Sequence, residues 1–196
     1  MRRLVFLLAF LVAACDDAPT PRAPAAPAPS DPAPAPAPDR VDVQGLSGAR
    51  AELAPVGGSG VGGSVELQRV GRSDGVRVLA RIRGAEPDRH YGFQILLGRS
   101  CDADPDVHLG AELGRPHGTP YRPAAQRHLG DLGNVRGDDS GVGRYDRIDT
   151  VLTLDGVSSP AGRAVVLRDR RDDGVTAPAG AAGDVVACGV LSGGPL

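Results

Sequence analysis

The 196-residue chain sets 24 acidic side chains against 22 basic ones, all of them arginine, for a net charge of −2. A near-neutral chain without a basic run has no electrostatic footprint for nucleic acid, which is excluded as a partner. There is no tryptophan, and Phe93 is the only phenylalanine beyond the first ten residues, so a core must be built from valine, leucine, isoleucine and alanine.

The chain begins MRRLVFLLAFLVAAC. Arg2 and Arg3 precede an apolar run, Leu4 to Ala14, that is too short to span a bilayer as a helix. Val12-Ala13-Ala14-Cys15 matches a lipobox at every position. The expectation is a signal peptide over 1–14, lipidation of Cys15, and anchoring by acyl chains without a transmembrane helix. That places the protein in a bacterial cell envelope, facing the periplasm, with the membrane as its partner through Cys15. Asp16-Asp17 resembles a signal for retention in the inner membrane, although which membrane holds the protein is left open. Loss of Arg2 and Arg3 with the signal makes the mature chain more acidic. Residues 15–39 are the lipidated cysteine and a Pro/Ala-rich linker, where recurrent proline favours extended polyproline geometry. At roughly 3.1 Å per residue this stalk reaches on the order of 60 Å. Residues 40–196 are one domain's worth of chain.

Within that domain, strand-length apolar or alternating stretches fall at 50–56, 63–70, 75–84, 90–97, 132–135, 143–154, 163–169 and 185–191. An Asp-Gly turn inside ELQRVGRSDGVRVLARI marks a hairpin. No segment sustains a helical apolar period, so eight short strands predict an all-β sandwich or barrel. The stretch from Gly98 to Gly130 is too long for an ordinary connection and holds three of the four histidines and a cysteine. That content predicts a loop ordered by bonds. Cys101 and Cys188 are the cysteines left once Cys15 is lipidated, and in an exported protein they are expected to pair.

His108, His117 and His128 with Asp131 offer three imidazoles and a carboxylate, a donor set suited to tetrahedral Zn²⁺. Their spacings are loop spacings, and the His128-x-x-Asp131 pair sits where the loop re-enters the sheet. Other signals fall away. Gly58, Gly60 and Gly63 satisfy a dinucleotide-binding pattern, but no helix follows. Residues 102–106, DADPD, lack the glycine and glutamate of a calcium loop. His90 has no second ligand nearby and is read as surface. Arg168, Arg170 and Arg171 alternate with Asp169, Asp172 and Asp173 and are read as a solvated, self-paired run.

From about residue 49 to 191 the chain resembles the Cu,Zn superoxide dismutase family, on HYGFQILL, RPHG, RHLGDLGNV, GRSC and GAAGDVVACGVL. The resemblance implies an eight-stranded Greek-key sandwich or barrel with a long zinc and disulfide loop. It places His108, His117, His128 and Asp131 on the zinc positions, with one Zn²⁺ per chain, and Cys101 and Cys188 on the disulfide. It also implies that copper positions have been replaced. Gln94 and Leu96 stand for two histidines of the Gly-Phe-His-x-His strand, and Leu167 for the histidine after a Val-Val pair. Only His108, which the family shares between its metals, remains. Val185 stands where the family has a superoxide-guiding arginine. A carboxylate that orients the ligand imidazoles falls on Asp172 only with a one-residue shift, since strict counting reaches Arg171.

Copper is therefore not expected, because leucine has no donor atom and an amide is a poor substitute for imidazole. Zinc does no redox chemistry, so the metal is read as holding the loop. The leading reading has no catalytic residues. It is a non-catalytic, zinc-stabilised dismutase-like module on a lipid anchor, serving as a binding or envelope-associated protein. The alternative is a superoxide dismutase, converting superoxide to dioxygen and hydrogen peroxide, with an atypical metal site. A zinc hydrolase is disfavoured, because four protein ligands leave no open position. The sequence names no protein partner and no oligomeric state.

Overall fold

Period-2 alternation is written plainly into the third strand, where Val76, Val78, Ala80 and Ile82 are buried while Arg77, Arg81 and Arg83 are exposed. Such a strand has one face for a core and one for water. The computed structural model describes residues 47–71 and 75–194. The expected signal peptide, Cys15 and the expected linker lie outside the described residues.

Among the described residues nine strands occur: β1 (Gly48–Pro55), β2 (Gly62–Arg69), β3 (Val76–Arg83), β4 (His90–Ile95), β5 (Asp131–Arg136), β6 (Val142–Asp149), β7 (Ala164–Arg168), β8 (Val185–Val190) and β9 (Ser192–Gly194). The first eight are the expected ones. The short ninth pairs β1, from Gly48↔Gly194 to Arg50↔Ser192. All pairings are antiparallel, in the order β5-β4-β7-β8-β1-β2-β3-β6. β3 lies beside β6 and β4 beside β7, so two connections cross over as in a Greek key. The outermost strands, β5 and β6, approach through the bridge Gly137↔Gly143 and a bond from the Tyr145 hydroxyl to the Leu132 carbonyl. The result is a nearly closed eight-stranded barrel. Among the described residues no helix is long and apolar enough to cross a membrane.

The core is the inward face of these strands, with Leu67, Ile82, Phe93, Ile95, Leu132 and Leu167 fully enclosed. β6 ends at Asp149, short of the expected residue 154. The Asp149 carboxylate accepts the N–H groups of Val151 (2.8 Å) and Leu152 (3.1 Å) and turns the chain, so Leu152 and Leu154 enter the core from a loop.

β4 and β7 differ from their neighbours because both of their faces are buried. Their inner residues join the main core. Their outer face is covered by the 98–130 segment and the 169–184 connection, and on it Leu96, Ala164, Val166 and Cys188 form a second apolar cluster. The 98–130 segment is ordered, as expected, with one-turn 3-10 helices at Ala111–Leu113 and Ala124–Gln126. Cys101 and Cys188 are joined, tying this loop to β8 across 87 residues.

Candidate metal centre

The long loop begins and ends against the C-terminal end of β4. Leu109 donates to the Ile95 carbonyl (2.9 Å), and Gly130 donates to the Leu109 carbonyl (2.8 Å), so His108 and His128 are brought together by backbone pairing. Gly130 is required here, since a Cβ would sit 2.1 Å from the Ile95 oxygen. His117 comes from the middle of the loop, and Asp131 opens β5. Thus the four residues singled out in the sequence form one cluster, with all four buried.

One potential ligand atom from each residue lies within 4.8 Å of the others. Asp131 Oδ1 is 2.7 Å from His108 Nδ1, 3.1 Å from His117 Nδ1 and 3.4 Å from His128 Nδ1. Asp131 Oδ2 is already occupied, accepting the backbone N–H groups of Gly118 and His128, each at 2.9 Å. The carboxylate is thereby fixed with one oxygen turned to the three imidazoles.

Electrostatics favour a cation at this point. Burial opposes charge on Asp131, yet hydrogen bonds from His108 and His117, with the His128 ring close by, outweigh it and hold the carboxyl well below the usual range. Burial likewise opposes charge on His117, but bonds to Asp131 and Asp172 push it up to about 9. Meanwhile His128 Nδ1 is buried with no hydrogen-bond partner. A tetrahedral zinc with bonds near 2.0–2.1 Å separates its ligands by about 3.3 Å, which the observed spacings bracket. Three Nδ1 atoms and one carboxylate oxygen fit that ion.

Asp172 proves to be the orienting carboxylate. Its Oδ1 lies 2.9 Å from His117 Nε2, and its Oδ2 accepts from Gln94 Nε2 at 2.8 Å. Asn134 pins its backbone in both directions, accepting from the Asp172 N–H and donating to its carbonyl. Gly180, at φ +70°, allows the contact, because a Cβ there would fall 2.0 Å from Asp172 Oδ1 and 2.7 Å from His117 Nε2.

The assignment of Leu167 is corrected. Leu167 pairs with Phe93 and points into the barrel core, whereas Gln94 pairs with Val166. Gln94 on the outer face of β4 and Leu96 just past its end point the same way, and strand alternation puts Ala164, Val166 and Arg168 on the matching face of β7. The residue that shares their face at the end of β7 is Arg168. The same one-residue displacement accounts for the shift that Asp172 needed, since counting from Arg168 reaches Asp172 directly.

A second correction concerns the charge run at 168–173. Arg170 and Arg171 are exposed, but Arg168 and Asp172 are buried. Arg168 donates to the carbonyls of Gly183 and Pro105, both at 2.8 Å, and to Asp106 Oδ1 at 3.0 Å. The two connections covering the outer face close over both side chains, and no local pattern reports that. His90 is half-buried and Val185 packs against the second cluster.

Sequence reasoning also missed Arg127 and Asp149, a fully buried pair. Arg127 Nη2 donates to both Asp149 oxygens (2.6 and 2.5 Å), and Nη1 to the Asp131 carbonyl (3.1 Å) and the His128 carbonyl (3.3 Å). The pair holds the backbone of two of the four cluster residues. The available signal was parity: along β6, Tyr145, Arg147 and Asp149 fall on the inward side and Ile148 on the outward side.

A sequence profile described as Copper/zinc superoxide dismutase (SODC) matches residues 61–191. The chain is 33% identical to a Superoxide dismutase [Cu-Zn] of Saccharomyces cerevisiae, over 69% of this chain and 92% of that protein. It is 37% identical to Superoxide dismutase [Cu-Zn] 2 of Mesembryanthemum crystallinum, over 69% and 89%. Among solved structures, that titled "Crystal Structure Analysis of the clock protein EA4" superposes with a TM-score of 0.64 at 31% identity, covering 75% of this chain and 94% of that one. With the nearly closed barrel, the disulfide and the buried histidine–aspartate cluster in place, this chain belongs to the copper/zinc superoxide dismutase family.

Proposed function

We propose that this is an exported, lipid-anchored family member that uses zinc to hold its long loop and does not dismutate superoxide. One observation carries the reading: the outer face of β4, the residue after its end and the end of β7, where the family resemblance puts copper, present Gln94, Leu96 and Arg168. Leucine has no donor atom. A guanidinium is permanently charged and accepts nothing. The Gln94 amide nitrogen is committed to Asp172 and to the Ala179 carbonyl. Only His108 Nε2 remains as an imidazole donor, and one nitrogen does not hold a redox copper.

Copper, when bound in the family, supplies an ion that alternately takes and gives an electron. Zinc does not change oxidation state and cannot replace it in that role. The residues here serve a different end. His108, His117, His128 and Asp131 would hold zinc through Nδ1 and Oδ1, Asp172 orients His117, and the barrel gains a fixed loop over β4 and β7. Support for the envelope location comes from the Val12–Cys15 motif and the proline-rich tether.

A second reading, dismutation at an atypical metal site, has in its favour that relatives 33–37% identical are named superoxide dismutases. The two readings separate in an assay of superoxide decay with purified protein supplied with copper and then treated with excess chelator. The expected rate equals the protein-free control. An enzymatic rate that survives the chelator contradicts the proposal.

A further inference from the structure

Gln94 occupies more than a vacated ligand position. Its side chain is fully buried, and its amide nitrogen donates to Asp172 Oδ2 at 2.8 Å and to the Ala179 carbonyl at 3.2 Å. The other oxygen of Asp172 meets His117 Nε2, and His117 Nδ1 faces Asp131 in the cage. A chain of side-chain contacts therefore runs from β4 to the metal cluster. A leucine here, like that at position 96, would fill space but leave Asp172 Oδ2 buried without its donor.

The other end of the amide tells a complementary story. Gln94 Oε1 has no partner, and neither does His108 Nε2, although both residues are fully buried. Leu96, two residues along the same face from Gln94, forms the bridge with His108, so the two unpartnered atoms belong to neighbouring elements. A neutral imidazole that binds metal through Nδ1 carries its hydrogen on Nε2. Coordination through Nδ1 thus leaves His108 Nε2 a donor, and Gln94 Oε1 is an unpartnered acceptor two residues from the Leu96–His108 bridge.

We propose that Gln94 is a positioning residue for the zinc cage, its amide nitrogen holding Asp172 on His117 and its amide oxygen receiving the Nε2 hydrogen of His108 through one buried water. A buried water needs two or more polar partners, and Gln94 Oε1 and His108 Nε2 are two buried polar atoms without one. One uncharged side chain thereby braces two of the three imidazoles, on the strand where the family's ligand histidines would stand. The inference rests on the zinc reading above.

The test is zinc affinity and dissociation rate, measured by competition with a chromogenic chelator, for the wild type, Gln94→Met and Gln94→His. Methionine keeps the volume and removes both hydrogen bonds, and partners of metal ligands typically contribute 10–100-fold to affinity. A 10–100-fold loss is expected for Gln94→Met at unchanged secondary structure. Gln94→His restores a ring N–H toward Asp172 and is expected to recover most of that loss. If the methionine variant does not fold, the histidine variant decides alone: zinc release within a few-fold of wild type supports the proposal, and release more than tenfold faster contradicts it. Equal affinity of wild type and Gln94→Met overturns the inference while leaving the zinc reading intact. Failure of the wild type itself to bind zinc overturns the zinc reading.

Discussion

At the scale of single residues, the histidine–aspartate cluster was legible because chemistry-bearing residues were concentrated where a loop had no other reason to be long. Three of the four histidines fall in one 33-residue stretch, and the structure gathers them around Asp131. What could not be read was facing direction. Leu167 and Arg168 are adjacent, and only pairing with Phe93 and Gln94 on β4 shows which of them looks outward. Buried polar roles were equally hidden, since Gln94 and Asp172 meet across 78 residues. Gly180 offers a sharp test of that contact. A Cβ would collide with Asp172 Oδ1 and His117 Nε2, and a non-glycine residue at positive φ costs about 1–2 kcal/mol besides. Gly180→Ala is expected to destabilise the protein in denaturant titrations and weaken zinc binding. Unchanged zinc affinity would mean that Asp172 does not orient His117.

At the scale of elements, period-2 alternation located eight strands, and the departures have local causes. β6 stops where Asp149 captures two backbone N–H groups, and β9 escaped notice because Ser-Gly-Gly has no side-chain pattern to display. The 98–130 loop is tied down by the histidine–aspartate cluster, by the disulfide, and by the buried guanidinium groups of Arg127 and Arg168. Breaking a buried ion pair by removing one partner costs about 3–5 kcal/mol, because the survivor keeps its desolvation penalty. Arg127→Met should lower stability by that amount in denaturant titrations, whereas Arg77→Met, which breaks an exposed pair with Asp146, should leave the midpoint nearly unchanged. Similar midpoints for the two variants would contradict the account. Closing an 87-residue separation restricts the unfolded chain by about 4.5 kcal/mol in the entropy model, so reduction should shift the unfolding midpoint markedly. Chelation should act differently, raising amide exchange across 98–131 while β1, β2 and β3 stay protected. Uniform exchange throughout the barrel would show that the metal holds the whole fold and not the loop.

At the scale of the molecule, a family barrel is joined by sequence to a proline-rich stretch and the Val12-Ala13-Ala14-Cys15 motif, which we propose is lipidated. Replacing Cys15 with serine should abolish lipid labelling and release the protein to the soluble fraction. Retention on membranes after a high-salt wash would point to another anchor. The domain's own chemistry reduces to a choice between two ions. A buried cluster of three imidazoles and one carboxylate fits zinc, while the outer face of β4 and β7 offers an amide, an isobutyl group and a guanidinium. The most direct measurement is elemental analysis of the protein after equilibration with both metals and exhaustive dialysis, beside a Gln94→His, Leu96→His, Arg168→His variant. The account predicts about one zinc and no copper per wild-type chain, with copper retained only by the triple variant. One tightly held copper in the wild type would contradict it.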